Sequence, residues 1–361
     1  MTKIKFREII ECSSQQSILT GQAGFGIRTM TQGLDADLAK KIVEQTSCAY
    51  EVDIADQVTA AQIEEDADVV KSYPRTLRYT VVTDDDGKDH YIVACSTYVG
   101  IDYGYFCGLD SARRAGSNYI ADILVFEERP TASLFSALLK QEVFLPVNNS
   151  CTPNNPELQQ LLTGEPSYLV PREIEIQEDQ PVLNEQTALV AIALLQTKIN
   201  QDLGKDKGLQ SIVIQVQENQ VPAVLESLAA LPDNLVSDKY FHTNYLQGYG
   251  MPNGYRMMFL NEHNKEQVYV ENYVFINLDH PKAQNIEDCN IYFHRIQEAV
   301  VANDYPAFRK AVDYICQNKM EDETREIAKE KDKETKGKKG FLLTKCQAFF
   351  QSLTHKKQPK K

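Results

Sequence analysis

The chain has 361 residues, of which 42% are hydrophobic and 25% are charged. One hydrophobic core rarely grows beyond about 250 to 300 residues, so we predict at least two domains. The longest apolar run, Ala188 to Leu195, is far shorter than the roughly 20 residues that cross a bilayer. The first residues also lack the apolar stretch of a secretory signal, so we expect a soluble, cytoplasmic protein.

The formal net charge of −13 is unevenly distributed. Residues 336–361 contain eight Lys and no acidic residue, which leaves −21 for the rest of the chain. An acidic body disfavours nucleic acid as a partner, so we predict none. The basic tail indicates either solvation or contact with an acidic surface.

Eight cysteines are scattered singly through the chain. No two of them have the short C-x-x-C spacing that zinc sites use, and no histidine pair has the i, i+4 spacing of a helical metal site. A chain of this size does not need disulfides for stability. We therefore predict reduced thiols, no metal site and no cofactor.

The predicted elements of residues 1–150 form a β-rich N-terminal domain. The patterns indicate strands at 4–12, 24–31, 77–83, 90–99 and 119–126, with helices at 35–45 and 132–141. The turn Asp-Asp-Asp-Gly-Lys at 84–88 is typical of a β-hairpin. Residues 51–72 are acidic and weakly patterned.

Residues 119–126 are almost continuously apolar, which indicates a strand buried on both faces. Asp122 interrupts this run. An unpaired charge is costly in such a position, so we predict that Asp122 pairs with Arg113 or Arg114.

After a turn-rich connecting segment, 151–182, we predict an α/β middle domain at 183–318. Asn184 is predicted to cap a core helix that runs to about 201. The other predicted elements are strands at 212–216, 255–260 and 268–278, a helix at 221–231, and a helical hairpin at 291–302 and 306–316. The fold class is therefore α+β, and residues 319–361 form a charged spacer and a basic tail.

Catalytic signatures are absent from the sequence, so we predict no catalytic residue and no enzyme activity. There is no G-x-x-x-x-G-K-[ST], G-x-G-x-x-G, G-x-S-x-G or H-E-x-x-H motif. Gly21, Gly24 and Gly26 resemble a phosphate-binding loop only weakly, because no Lys follows at the required position. We interpret them as a structural turn before a strand.

A polar connection at 100–118 lies between two predicted strands. Its Gly, Asp, Arg and Asn residues allow tight turns and charge-assisted hydrogen bonds. It could therefore bind an anion or brace the fold, and the sequence leaves both alternatives open.

Three segments resemble the GTPase-associated protein family of bacterial conflict systems. The first contains Glu11, Cys12, Ser13, Ser14, Gly21, Gly24, Phe25, Gly26, Arg28, Gly33 and Leu34. The second contains Gly100, Asp102, Arg113, Gly116, Asn118, Ala121, Leu124 and Val125. The third contains Leu231, Pro232, Leu235, Tyr240, Phe241 and Thr243. The chain departs from the family pattern by inserting Ser117 and by carrying Asp122 where a histidine is expected.

The resemblance implies a non-enzymatic adaptor or scaffold that works with a P-loop GTPase in a multi-protein defence system. The candidate residues for interaction or anion binding are Gly21, Gly24, Phe25, Arg28, Gly100, Asp102, Arg113, Arg114, Gly116, Asn118 and Asp122. The alternative is an enzyme or anion-binding protein that uses Asp102, Arg113 and Asn118.

The tail carries apolar residues at helical spacing among lysines. They are Leu342, Cys346, Phe349, Phe350 and Leu353. This pattern is typical of a basic amphipathic helix, which would dock on the acidic body or on a partner, or would lie on a membrane surface.

Overall fold

The computed structural model describes residues 2–46, 58–73, 75–108, 118–141, 143–144, 155–176, 183–236, 239–243, 255–260, 270–279, 282–286 and 291–317. Within these ranges the chain forms both helices and strands, and the N-terminal region is rich in strands. The predicted α+β class is therefore confirmed. In the same ranges no helix is long and apolar enough to cross a membrane.

The strands are β1 (Thr2–Ser14), β2 (Gly24–Met30), β3 (Thr76–Thr83), β4 (Asp89–Tyr98), β5 (Tyr119–Phe126), β6 (Arg172–Ile176), β7 (Ile212–Gln215), β8 (Phe241–Thr243), β9 (Met257–Leu260), β10 (Val274–Asn277) and β11 (Lys282–Gln284). The helices are α1 (Ala36–Thr46), α2 (Ala60–Glu65), α3 (Tyr103–Cys107), α4 (Ala132–Lys140), α5 (Pro156–Thr163), α6 (Glu185–Asp202), α7 (Val221–Leu228), α8 (Asp233–Val236), α9 (Ile291–Val301) and α10 (Tyr305–Gln317).

Contacts between residues divide the chain into two compact units. Each unit is built from three separate stretches of the chain. Unit 1 comprises Met1–Gln180, Gln217–Glu226 and Tyr240–Val268, and unit 2 comprises Pro181–Val216, Ser227–Lys239 and Tyr269–Lys361. The sequential domains at 1–150 and 183–318 stay a prediction. The contact pattern also places β6, β8 and β9 in unit 1.

Unit 1 contains a mainly antiparallel sheet with the strand order β9-β8-β3-β4-β5-β1-β2. The predicted hairpin is present, because β3 pairs with β4 from Thr76↔Ser96 to Thr83↔Asp89. The long strand β1 has three neighbours: its first residues pair with β6, and its remainder pairs with β5 and β2. Every residue of β5 is buried, as its apolar run predicted.

Unit 2 is organised by helix α6, which packs against β7, β10, α9 and α10. Asn184 caps this helix by accepting a hydrogen bond from the Thr187 backbone, which confirms the predicted N-terminus. In the sheet of this unit β10 runs parallel to β7 and antiparallel to β11. The predicted hairpin of α9 and α10 is also present, with its turn at Asn303.

Several local predictions need correction. The acidic segment 51–72 contains helix α2 and the 3-10 helix Ala67–Ser72, because Thr59 and Asp66 supply caps that the apolar pattern does not reveal. The strand predicted at 268–278 starts as the 3-10 helix Val270–Asn272 and becomes β10 only at Val274. The helix predicted at 221–231 already ends at Leu228.

Candidate functional site

Two connections that the sequence singled out leave the sheet of unit 1 at the same end. Strand β1 ends where β2 begins, with Ser14 opposite Gly24. Strand β4 ends where β5 begins, with Tyr98 opposite Tyr119. Because β1 and β5 are hydrogen-bonded neighbours, both connections lie side by side. We call this region the loop end and define it as residues 14–25, 98–108 and 118–119.

The glycine-rich part of the loop end is a tight turn. Gly21 has a φ of 69° and donates its N–H to the carbonyl of Ser17 over 2.9 Å. Gly24 has a φ of 128°, a conformation that residues with a Cβ rarely adopt. These backbone requirements support the interpretation of the glycines as a structural turn.

Phe25 is an exposed aromatic residue at the loop end. About half of the side chain is accessible, with a relative exposure of 47%. Its ring centroid lies 4.6 Å from that of Tyr119 on β5, which holds one face of the phenyl ring in place. An aromatic side chain that is both exposed and positioned is a suitable anchor for a protein partner.

Arg28 points inward and braces helix α5. The residue is only 3% exposed, and its guanidinium donates hydrogen bonds to the carbonyls of Leu161, Gln160 and Gly164 and to that of Gln16. The first three carbonyls belong to the C-terminal turn of the helix, where a cation is favourable. Burial lowers the pKa of Arg28. The geometry thus gives Arg28 a structural role at a position nominated for interaction.

The connection after β4 is predicted to be a loop but contains a short helix, α3. Asp102 accepts a hydrogen bond from the Gly104 N–H over 2.9 Å and thereby caps helix α3. The carbonyl of Asn118 accepts from the N–H groups of Val99 and Gly100. Asp102 and Asn118 therefore brace the described part of this connection.

Gly100 occupies a position that no other residue fits well. Its φ is 69°, and a Cβ at this position would lie 2.8 Å from the side chains of Ile63 and Val58. This glycine allows the chain to leave β4 directly beneath helix α2 and the residues that precede it.

Asp122 is completely buried in β5, as predicted. The other nominated residues lie outside the described part of the chain: Arg113, Arg114 and Gly116, and the tail residues Leu342, Cys346, Phe349, Phe350 and Leu353. The pairing of Asp122 with Arg113 or Arg114 stays a prediction.

Comparison with known protein families finds one match in this part of the chain. Residues 5–138 match the family described as GTPase-associated protein 1, N-terminal domain type 2. These residues form a domain of that family. The match spans both connections of the loop end. No curated protein matches the chain.

The GTPase-associated domain also contains a buried acid that the sequence analysis did not nominate. Glu11 on β1 is 5% exposed, and its Oε2 atom has no hydrogen-bond partner among the described residues. Burial raises the pKa of this carboxyl to about 7. The sequence indicates this burial, because Glu11 directly follows two isoleucines within a predicted strand.

The neighbouring thiol of Cys12 is not a candidate nucleophile. Cys12 is fully buried, and burial raises its pKa to about 12. A thiol with such a pKa holds no useful fraction of thiolate at neutral pH. Cys12 of the GTPase-associated domain is therefore a core residue.

We expect Gly100→Ala to lower the free energy of unfolding by about 2 to 3 kcal/mol, because it combines a left-handed backbone conformation with a steric clash. Gly108→Ala is the matched control. Gly108 has a φ of 67°, but no atom lies within 4 Å of the added Cβ, so only the backbone cost of about 1 kcal/mol remains. Urea unfolding measures the free energy of unfolding of both variants. Equal losses in the two variants would contradict the close packing at Gly100.

Proposed function

We propose that the chain is a non-enzymatic adaptor or scaffold that works with a P-loop GTPase in a bacterial conflict or defence system. The match of residues 5–138 to the GTPase-associated protein 1 family supports a GTPase-linked accessory role. The more specific role of an adaptor rests on the geometry of the loop end.

The observation that carries the proposal is the exposed Phe25 at a rigid loop end. Residues of two sequence blocks that are far apart in the chain meet there, since Phe25 on β2 contacts Tyr119 on β5. The backbone around them is fixed by the turn at Gly21 and by the cap at Asp102. A partner would therefore meet a preorganised surface with one aromatic anchor, which lowers the entropic cost of binding.

The alternative of an enzyme or anion site at Asp102, Arg113 and Asn118 has less support. The Asp102 carboxylate already caps helix α3. The Asn118 carbonyl already accepts two backbone hydrogen bonds. The second alternative, membrane contact through residues 340–361, stays a prediction from the sequence.

The test is binding to a P-loop GTPase, which the proposal requires to be encoded beside this chain. We expect Phe25→Ala to weaken the interaction by about tenfold, because a central aromatic anchor contributes more than 1 kcal/mol. Tyr168→Ala is the matched control, since Tyr168 is 55% exposed in the same unit but belongs to the segment before β6. Biolayer interferometry with purified proteins measures both affinities.

Equal affinities of the wild type and Phe25→Ala, or no complex at all, would contradict the proposal. A second arm tests the enzymatic alternative by calorimetry of the chain alone with GTP. We expect no binding heat, because the sequence has no phosphate-cradling loop followed by Lys. Tight binding of GTP by the isolated chain would favour the alternative.

A further inference from the structure

Strand β2 is the last strand at its end of the unit 1 sheet, and a short extended segment lies along its outer side. This segment is 167–170, which we call the edge segment. The Leu169 N–H donates to the carbonyl of Met30 over 2.9 Å, and the Leu169 carbonyl accepts from the N–H of Gln32 over 2.8 Å. These two bonds form a parallel bridge between Leu169 and Thr31. The edge segment therefore extends the sheet beyond β2.

The side chains of the edge segment alternate between core and solvent. Leu169 packs against the hydrophobic core of unit 1, whereas Tyr168 and Val170 are 55% and 72% exposed. This alternation is that of an extended strand. Backbone groups alternate in the same way, so the N–H and C=O groups of Tyr168 and Val170 point away from β2. Within the described part of the chain, none of these outward groups has a hydrogen-bond partner.

The centre of the edge segment lacks the usual protection of a sheet edge. Natural edges carry lysine or proline, or are covered by another element. Pro166 and Pro171 lie on either side of the edge segment and limit the length over which another strand can pair. Between them the exposed side chains belong to tyrosine and valine, two residue types that favour strands. This arrangement leaves a short apolar edge with defined ends, which fits the addition of one strand.

Two copies of the edge segment are complementary to each other. If they pair antiparallel about a two-fold axis at Leu169, Tyr168 of each copy lies directly opposite Val170 of the other. Each of these pairs exchanges both of its N–H···O=C bonds, so every outward backbone group of both copies gains a partner. An aromatic residue opposite a β-branched residue is also a favourable cross-strand pair.

The charges beside the edge segment permit this approach. Beyond the prolines, the pairing brings Glu165 of one copy toward Glu173 of the other. Carboxylate oxygens of Glu173 already lie 4.0 Å from Lys3 Nζ and 3.6 Å from Lys5 Nζ. These lysines weaken the repulsion between the two glutamates, and solvent screens it further.

We propose that the edge segment is the interface of a homodimer, in which the unit 1 sheets of two copies pair edge to edge through Tyr168 and Val170. This surface goes beyond the proposed function, because it is at the opposite end of β2 from Phe25 and requires no GTPase. Since the edge segment is short, the interface is small and the dimer is reversible. A partner of the dimer meets two loop ends, which increases its apparent affinity.

Sedimentation velocity of the full chain, from micromolar to millimolar concentrations, measures the dimer. We expect the wild type to dimerise as its concentration rises. Val170→Pro removes an outward N–H, and Val170→Lys places a charge on the edge, so each should raise the Kd of the dimer by about tenfold or more. Val301→Lys is the matched control, since Val301 is also 72% exposed but belongs to α9 in unit 2. It should dimerise as the wild type does.

Disulfide trapping tests the register of the two strands. Directly opposite residues of a hydrogen-bonded pair have Cα atoms about 5.5 Å apart, which a disulfide can span. We expect a mixture of a Tyr168→Cys chain and a Val170→Cys chain to form a covalent dimer under mild oxidation. Either chain alone should form much less. The wild type provides the background, because Cys107 is already exposed.

Thermal melts identify any variant that fails to fold, and Val170→Lys, which keeps the backbone N–H, decides the outcome if Val170→Pro does not fold. The proposal is overturned if the wild type stays monomeric over the whole concentration range, which would leave the edge to a strand of another protein. It is also overturned if Val301→Lys weakens the dimer as much as Val170→Lys does. Trapping of Val170→Cys alone at the level of the mixture would contradict the antiparallel pairing.

Discussion

Arg172→Ala is expected to lower the free energy of unfolding by about 3 kcal/mol, because it leaves a buried carboxylate without its ion-pair partner. Nη1 of Arg172 lies 3.1 and 3.2 Å from the two carboxylate oxygens of Glu8. The side chain of Glu8 is 3% exposed and that of Arg172 is 40% exposed. The solvent access of the arginine reduces the expected loss to the lower end of the range for buried pairs.

Arg172 makes further contacts that join the start of the chain to β6. Its guanidinium carbon lies 5.4 Å from the ring centroid of Phe6, and Nη2 donates to the carbonyl of Val143 over 3.3 Å. Arg172→Met would preserve part of the packing but remove the charge. Glu8→Gln removes the buried charge that either substitution would leave unpaired. In a chain that carries Glu8→Gln, Arg172→Met should therefore lower the free energy of unfolding less than Arg172→Ala does.

An exposed ion pair between the same two strands provides the control. Lys5 Nζ lies 3.6 Å from a carboxylate oxygen of Glu173, and both side chains are well exposed. Lys5→Ala should cost less than about 1 kcal/mol, because solvent screens this pair. Urea unfolding compares the variants. If Arg172→Ala proves as mild as Lys5→Ala, the ion pair with Glu8 does not stabilise unit 1.

Glu11→Gln is expected to stabilise the protein at pH 8 by about 3 kcal/mol and to change little near pH 4. Burial raises the pKa of Glu11 from 4.5 to about 7 in the folded chain. Between these values the folded state binds more protons than the unfolded state. The free energy of unfolding therefore falls as the pH rises through this window and stays low above it. A shift of this size corresponds to about 3 kcal/mol, which glutamine avoids because it never ionises.

The measured quantity is the difference in the free energy of unfolding between each variant and the wild type, because other groups also titrate. Glu44→Gln is the control, because Glu44 is an exposed residue of helix α1. Urea unfolding from pH 4 to pH 8 should show a widening gap between Glu11→Gln and the wild type, and none for Glu44→Gln. A constant gap across the range would mean that Glu11 does not titrate within it.

Local sequence patterns were sufficient for the elements that depend on near neighbours. The Asp-Gly turn at 84–88 predicted the β3–β4 hairpin, and Asn184 predicted the start of α6. The helical spacing of Phe308 and Val312 likewise predicted the face of α10 that is buried. Each of these signals lies within a few residues of the structure it specifies, so no knowledge of the rest of the fold is needed.

Strand β6 illustrates what local patterns cannot show. Its alternating sequence Arg-Glu-Ile-Glu-Ile is compatible with many partners, and it pairs with the first residues of β1, more than 160 positions away in the chain. The contact of Arg172 with the buried Glu8 likewise exists only when the two strands are paired. The sequence alone therefore predicts only a connecting segment at 151–182.

By itself, the sequence determined the α+β class, the hairpins of β3–β4 and α9–α10 and the burial of β5, because turn residues, caps and periodicity are local properties. Its motifs also determined the family resemblance of the N-terminal domain. Only the tertiary structure decided which residues from distant parts of the chain lie together. Strand order and register bring Phe25 against Tyr119, turn Arg28 toward helix α5, and align Thr76 with Ser96 and Arg78 with His242. Register is a property of paired strands, and a one-residue slip would move each of these side chains to the other face.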